Sequence, residues 1–362
     1  MSQARFERVR RALGEFGLDA LLLSTGADLP WLTGYTAMPL ERLTMLVLPT
    51  DGDPTLVVPR LEAPRVVSQP DLFELRPWEE TEDPVAVVAD LVGARRSLAI
   101  SDRAWAGPLL ELQASLPDAK WQRASIVTGP LRAVKDADEI IALRNASAAA
   151  DRVATALVQG EIDLIGRTEA EVSREISDRL LEEGHQRVNF AIVGSGPNAA
   201  SPHHDASSRV IGRGESVVCD FGGVLDGYCS DITRTVFTGE PPSEFRDLYT
   251  VLERAQAEAV GAACAGIPCE DVDAIARRII TDAGYGPNFV HRTGHGIGLE
   301  EHEDPYIVAG NCDRLRVGNA FSIEPGIYVE GKWGARIEDI VIVNEYGPES
   351  LNNVDHILYW VA

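Results

Sequence analysis

The chain has 362 residues, 45% hydrophobic and 25% charged, with 33 Lys+Arg against 56 Asp+Glu and a formal net charge of −23. These are globular proportions, which exclude disordered, collagen-like and coiled-coil chains, and at ~150 residues per domain the length fits two domains. So acidic a chain lacks the clustered Lys and Arg that bind a phosphate backbone or an anionic membrane, and no apolar run nears the ~18 residues of a membrane span.

The opening MSQARFERVRRALGEFG predicts an amphipathic helix with Phe6, Val9 and Leu13 on one side. It has neither the apolar segment nor the cleavage site of a signal peptide, so the expected compartment is the cytoplasm. Asp19–Ser24, Leu43–Pro49, Pro54–Pro59 and Ser97–Ile100 are short apolar runs that predict strands, and 83–93 and 107–116 predict helices. Strands mixed with helices imply an α/β domain over residues 1–130, ending at the turn signal Thr128-Gly129-Pro130. Nothing in it carries chemistry.

Residues 131–362 form the second predicted domain. A helix spans 135–160, and a second over 168–183 opens with a capping box, Thr168 with Glu171, and stops at Gly184. Strands follow at Arg187–Val193, Glu215–Phe221 and Asp231–Phe237. The order then recurs, with helices at 243–264 and 270–283 and strands around 320–329 and 336–343. Two like halves facing each other would enclose a cleft. The charge is uneven too: residues 1–134 hold 14 basic and 18 acidic side chains, residues 135–362 hold 19 and 38. Five cysteines (219, 229, 264, 269, 312) without a CxxC pair predict free thiols rather than a zinc finger or disulfide framework.

Asp220 lies inside the apolar run Val217–Phe221, where a carboxylate is costly to bury unless paired or bound to a cation. Gly222-Gly223 reads as a turn, after which a returning arm from Asp231 would bring the two aspartates together. A lone Arg234 is barely enough counter-charge for both. In Arg336–Ile342, read as one strand, alternation puts Arg336, Glu338, Ile340 and Ile342 on one face. Glu324 precedes Pro325, which ends or kinks its strand, and a hairpin could close around Glu330–Gly334. Each half thus offers two acids from a strand pair. Three of the seven histidines, His291, His295 and His302, cluster, and glycines flank His295; His203 and His204 follow the stretch Gly194–Pro202. One imidazole with four carboxylates is an oxygen-rich set suited to Mn²⁺, Co²⁺ or Fe²⁺, with enough ligands for two ions. The residues alone point to a carboxylate-bridged metallohydrolase.

Asp220-Phe-Gly, Gly227-Tyr-Cys-Ser-Asp231-Ile-Thr-Arg-Thr, His291-x-Thr-Gly-His295-Gly-Ile-Gly, Ser322-Ile-Glu324-Pro-Gly and Arg336-Ile-Glu338-Asp occur in that order. Together they resemble the pita-bread metallopeptidases, the family of prolidase, aminopeptidase P and methionine aminopeptidase. The likeness covers roughly 130–362, and residues 1–130 resemble the N-terminal domain of the prolidase and aminopeptidase P branch. The resemblance implies an α+β catalytic domain with pseudo-twofold halves behind the α/β domain. It implies two divalent ions, Mn²⁺ first with Co²⁺, Fe²⁺ or Zn²⁺ as alternatives. Asp220 would hold one ion, His295 and Glu324 the other, and Asp231 and Glu338 both, along with a bridging hydroxide. His203 and His302 fall at substrate-contacting positions, Glu324 at the proton carrier's, and His291 and Arg336 around the site. The implied activity is hydrolysis of the bond before proline in an Xaa-Pro dipeptide or peptide, by a homodimer, with dipeptidase and aminopeptidase both open. A catalytically silent module binding peptide or protein, and a hydrolase of another amide, are the alternatives.

Overall fold

The computed structural model describes residues 3–361, and the chain divides into two units that part between Arg132 and Ala133. The first begins with α1 (Gln3–Glu15), whose inward side is Phe6, Val9, Ala12 and Leu13, as the helical spacing predicts. Next come β1 (Ala20–Leu23), α2 (Asp28–Thr33), β2 (Met45–Pro49), β3 (Thr55–Pro59) and β4 (Glu74–Trp78). The unit ends with α3 (Pro84–Val92), β5 (Ser97–Ile100), α4 (Ala106–Ser115), β6 (Lys120–Arg123) and α5 (Ser125–Arg132). The sheet runs β4-β3-β2-β1-β5-β6, mixed in direction. All four β1 residues are fully buried, which is why the segment reads as an unbroken apolar run rather than an alternation.

Thr128-Gly129-Pro130, expected as a turn, lies inside α5. Gly and Pro cost a helix about 1 and 3 kcal/mol. Here Val127 and Thr128 are buried, and Arg132 pairs with Asp28 at 2.8 Å. Tertiary packing outweighs the local preference.

The second unit begins with α6 (Ala137–Val158) and α7 (Glu169–Glu182), each opened by a capping box: Asp136 with Glu139, then Thr168 with Glu171. Then follow β7 (Arg187–Ser195), β8 (Ser216–Leu225), β9 (Tyr228–Cys229) and β10 (Ile232–Thr238). The second half holds α8 (Ser243–Ala262), α9 (Cys269–Asp282), β11 (Gly294–Gly296), β12 (Glu303–Ile307) and β13 (Ala320–Ile323). It ends with β14 (Gly326–Val329), β15 (Trp333–Arg336), β16 (Asp339–Asn344), β17 (Gly347–Ser350) and β18 (Tyr359–Val361). One sheet runs β18-β10-β8-β7 with β9 on β8, the other β12-β11-β13-β16-β17, and β14-β15 form a separate ribbon. Helices α6 and α7 pack on the first sheet through Val153, Leu157, Val172 and Ile176 against Val217, Cys219, Phe221 and Val236. Helices α8 and α9 pack on the second through Leu248, Leu252, Val272 and Ile280 against Phe321, Ile323, Val341 and Val343. Each sheet thus has one face sealed by a helix pair, and the other is left for chemistry.

Two local expectations change. Gly222-Gly223 is not the turn; β8 runs through it to Leu225, and the chain reverses at Asp226 and Gly227, both at positive φ. A Cβ on Gly222 would lie 2.1 Å from the Ser230 carbonyl oxygen, and one on Gly223 2.5 Å from that of Arg187. These glycines serve close backbone approach within the sheet. Residues 336–342 likewise form no single strand. Arg336 ends β15, paired with Gly326, while Asp339 begins β16, paired with Ile323. Between them Glu338 pairs with Thr233 of β10, its N–H donating to the Thr233 carbonyl at 3.2 Å. That bridge joins the two halves.

Candidate metal centre

The alternation of the strands decides what faces the cavity. In β8 and β10, Val217, Cys219, Phe221, Ile232 and Val236 belong to the helix-side core. Asp220 and Thr233 are paired across the strands on the opposite face, and Asp231 stands two residues before Thr233 on that face. The same period holds through the broken 336–342 segment. Ile337, Val341 and Val343 join the helix-side core, so Arg336 and Glu338 face the other way.

A cavity of about 470 Å³ results, lined among others by Asp220, Asp231, His295, Glu324, Arg336 and Glu338, with His203, His291 and His302 also on its wall. All nine residues expected from the sequence therefore meet at one place. His295 Nε2 is 3.2 Å from Glu324 Oε1 and 3.8 Å from Asp231 Oδ2. Donor atoms of Asp231, His295 and Glu338 all lie within 4.8 Å of one another. The glycines beside His295 allow this: a Cβ on Gly294 would meet the Ser322 carbonyl at 1.8 Å, and one on Gly296 the Asp304 carbonyl at 2.3 Å. The ring of His295 is held by Nδ1 near the Gly296 carbonyl, 3.2 Å.

The surroundings are fixed by hydrogen bonds. Thr233 Oγ1 donates to Glu338 at 2.6 Å and Ser322 Oγ to Glu324 at 3.1 Å. Arg336 pairs with Asp220 at 2.5 Å and donates to Thr233 Oγ1 and the Tyr328 hydroxyl at 3.0 and 2.8 Å; that hydroxyl is 2.9 Å from His291 Nε2. Tyr328 and Thr233 escape sequence reasoning. Neither residue type is diagnostic, and only the fold brings Tyr328 between Arg336 and His291. Arg234 does not serve Asp220 or Asp231. It faces the opposite side of β10 and pairs with Asp339 at 2.8 Å, leaving Arg336 as the cation paired with Asp220 in the cavity. His204 is also turned away, with Nε2 2.8 Å from the buried Glu169.

The four carboxylates of Asp220, Asp231, Glu324 and Glu338 share this space with the buried guanidinium of Arg336, while the half-buried Glu301 and Arg292 also line the cavity. Burial raises the pKa of Asp220, despite Arg336 beside it. Burial and the neighbouring acids push Asp231 and Glu338 well above the ordinary carboxylate range. Burial works against the charge of Glu324 as well, but His295, His291 and Arg336 outweigh it and hold the group at about 2. Burial and the adjacent His295 push His302 down to about 4, so its ring is neutral near pH 7. Asp220 Oδ1 is buried without a hydrogen-bond partner among the described residues. An acceptor without a donor, beside acids whose charges repel, is a cradle for divalent cations, and the oxygen-rich donor set with one imidazole fits them.

Comparisons with known proteins agree with this geometry. The model of metallopeptidase family M24 matches residues 141–345, and that of the creatinase/prolidase N-terminal domain matches residues 5–134. The probable dipeptidase PepE of Mycobacterium tuberculosis is 47% identical over 353 residues, spanning 96% of this chain and 93% of its own length. The crystal structure of dipeptidase PepE from Mycobacterium ulcerans superposes with a TM-score of 0.93 at 45% identity, covering 99% of this chain and 97% of that one. A recombinant prolidase from Thermococcus sibiricus gives 0.93 at 37% identity, covering 100% of both chains.

Proposed function

The chain belongs to metallopeptidase family M24, and on that premise we propose that it hydrolyses the peptide bond preceding proline, as a prolidase-like dipeptidase. The observation that carries this reading is the convergence of Asp220, Asp231, His295, Glu324 and Glu338 on one cavity whose wall also holds His203 and His302. Dipeptidase and prolidase are the names of the three proteins compared above, which favours a dipeptide over a longer substrate. The complete ligand set favours an enzyme over a silent binding module.

Asp220 would hold one divalent ion, His295 and Glu324 a second, and Asp231 and Glu338 both, with Mn²⁺ or Co²⁺ suited to the hard oxygen donors. When bound, such ions polarise a carbonyl and supply a nucleophile at neutral pH. The protein's own groups do the rest. Glu324, charged at neutral pH, accepts the proton of the attacking water and returns it to the departing nitrogen, which as a proline imide has no hydrogen of its own. His302, kept neutral, donates a hydrogen bond to the scissile carbonyl as negative charge develops on its oxygen, and His203 contacts the substrate from the opposite loop. Phe190 and Ile192 give the cavity an apolar wall for the proline ring. The Tyr328 hydroxyl links the His291 ring to the Arg336 guanidinium and holds both in place. Five cysteines that form no disulfide suit a reducing cytoplasm, and membership of the family is what supports a homodimer.

The test compares Ala-Pro with Ala-Pro-Ala after Mn²⁺ or Co²⁺ loading. Cleavage of the dipeptide alone is expected. Cleavage of the tripeptide would make the protein an aminopeptidase, and cleavage of neither would remove the proline reading altogether.

A further inference from the structure

The loop that brings His203 to the cavity has almost no regular structure: a 3₁₀ turn at Gly196–Ala200, then residues 201–209 without helix or strand. One side chain gathers it. Glu169, the first residue of α7, is fully buried and does not line the cavity. Its Oε1 accepts from the Ser195 N–H at 2.8 Å and the Ser195 hydroxyl at 2.7 Å. Its Oε2 accepts from the Ser207 N–H at 3.2 Å, the Ser207 hydroxyl at 2.6 Å and His204 Nε2 at 2.8 Å. Asn198 Nδ2 donates to both oxygens at 3.1 Å. The donors thus come from where the loop leaves β7, from its 3₁₀ turn, from the residue after His203 and from its far end. The backbone of the same helical turn adds two bonds, from the Glu169 N–H to the Arg209 carbonyl and from the Ala170 N–H to the Ser207 carbonyl, each 3.0 Å.

A buried carboxylate needs a reason to be there. Burial works against the charge of Glu169, yet Ser207, Ser195 and His204 hold its pKa at about 2, so it remains an anion across the neutral range. The proposed hydrolysis has no use for that charge. What the charge reaches is the loop, and the loop's contributions to the cavity wall are Pro202 and His203. The Pro202 carbonyl also accepts from Arg336 at 3.3 Å, so the loop is registered against the second half of the domain. Two glutamates of one turn divide the work: Glu171 caps the helix, and Glu169 points inward.

We propose that Glu169 is a positioning residue of the enzyme: its carboxylate staples the 195–207 loop at both ends and thereby sets His203 at the substrate. The proposal rests on the reading of His203 as a substrate contact.

The experiment uses the full-length Mn²⁺-loaded protein with Glu169→Gln, which keeps the size but places an amide N–H₂ among donors. Amide hydrogen exchange over 196–207 is expected to quicken at least tenfold. The kcat/KM for Ala-Pro is expected to fall at least tenfold, mostly through KM, with metal content unchanged. Combined with His203→Ala, Glu169→Gln should cost less than about threefold more than His203→Ala alone, because both remove the same contact. Unchanged loop exchange, or fully additive losses in the double variant, would overturn the proposal. If Glu169→Gln fails to fold, Ser207→Ala removes one donor and must show the same KM-weighted loss at smaller size; a loss in kcat alone overturns the staple. Full activity of His203→Ala by itself would instead remove the reading of His203, while the exchange measurement still decides whether Glu169 holds the loop.

Discussion

Glu338 and Asp339 are neighbours in sequence and both almost wholly buried, yet their surroundings are opposite. Burial works against the charge of Asp339, but Arg234 at 2.8 Å and His356 at 2.7 Å outweigh it and hold its pKa down, with Gln256 adding a hydrogen bond at 3.3 Å. Glu338 has the Thr233 hydroxyl at 2.6 Å, while the neighbouring acids push its pKa up. Desolvation is common to both; the partners differ. Asp339 is balanced by the chain and is part of the scaffold. Glu338 shares a space in which carboxylates outnumber cations, and its balance must come from outside, which is what a metal ligand needs before the metal arrives.

Substitutions on the two sides should therefore behave differently. Asp231→Asn is expected to lower Xaa-Pro hydrolysis by roughly 10³-fold and to reduce bound metal, while leaving the metal-free protein no less stable; retained metal and activity would dissolve the distinction. Asp339→Asn leaves a buried guanidinium without its anion and should cost about 3–5 kcal/mol in urea unfolding, metal present or not. Chelation should lower the melting temperature. Ions at a hundred times their Kd stabilise by about 2.7 kcal/mol, or a few degrees for a domain of this size. An unchanged curve with metal loss verified counts against the site.

The smallest effect is a slope with pH in the chelated protein. The raised groups Asp220, Asp231 and Glu338 hold protons in the folded state after the unfolded chain has lost them. Above the ordinary values of 3.8 and 4.5, stability therefore falls as pH rises, by up to about 1.4 kcal/mol per pH unit per group. Asp339 and Glu169 act with the opposite sign. Their contribution is present above the ordinary range and is lost as pH falls toward their lowered values, about 2 for Glu169. Urea midpoints between about pH 5 and 7 should decline in the chelated protein, and Glu338→Gln should flatten the decline.

Much of this was legible in the chain. Period-two alternation placed Arg336 and Glu338 on one face, and it survives in the structure although the strand itself breaks. The capping box at Thr168 and the inward side of α1 were readable because they depend on residues three or four apart. The ordered run of Asp, His and Glu motifs carried the family, since few other chemistries use those residue types at those spacings.

What only the tertiary structure decided are relations between segments far apart in sequence. Which arginine answers which acid was one. Arg234 lies closer in sequence to Asp231, but Arg336, 116 residues from Asp220, is the one that reaches the cavity. The reason is geometric: the Thr233–Glu338 bridge sets the two halves face to face and turns Arg234 to the back of its strand. The same holds for Gly222, which resembles a turn in sequence and serves a close backbone approach in the fold. It holds for Glu169, an ordinary first-turn glutamate whose seven hydrogen bonds come from a loop that begins 26 residues away. Sequence determines local periodicity and the inventory of chemical groups. Packing determines which of those groups meet, because the cost of burying a charge is settled only by the partner the fold supplies.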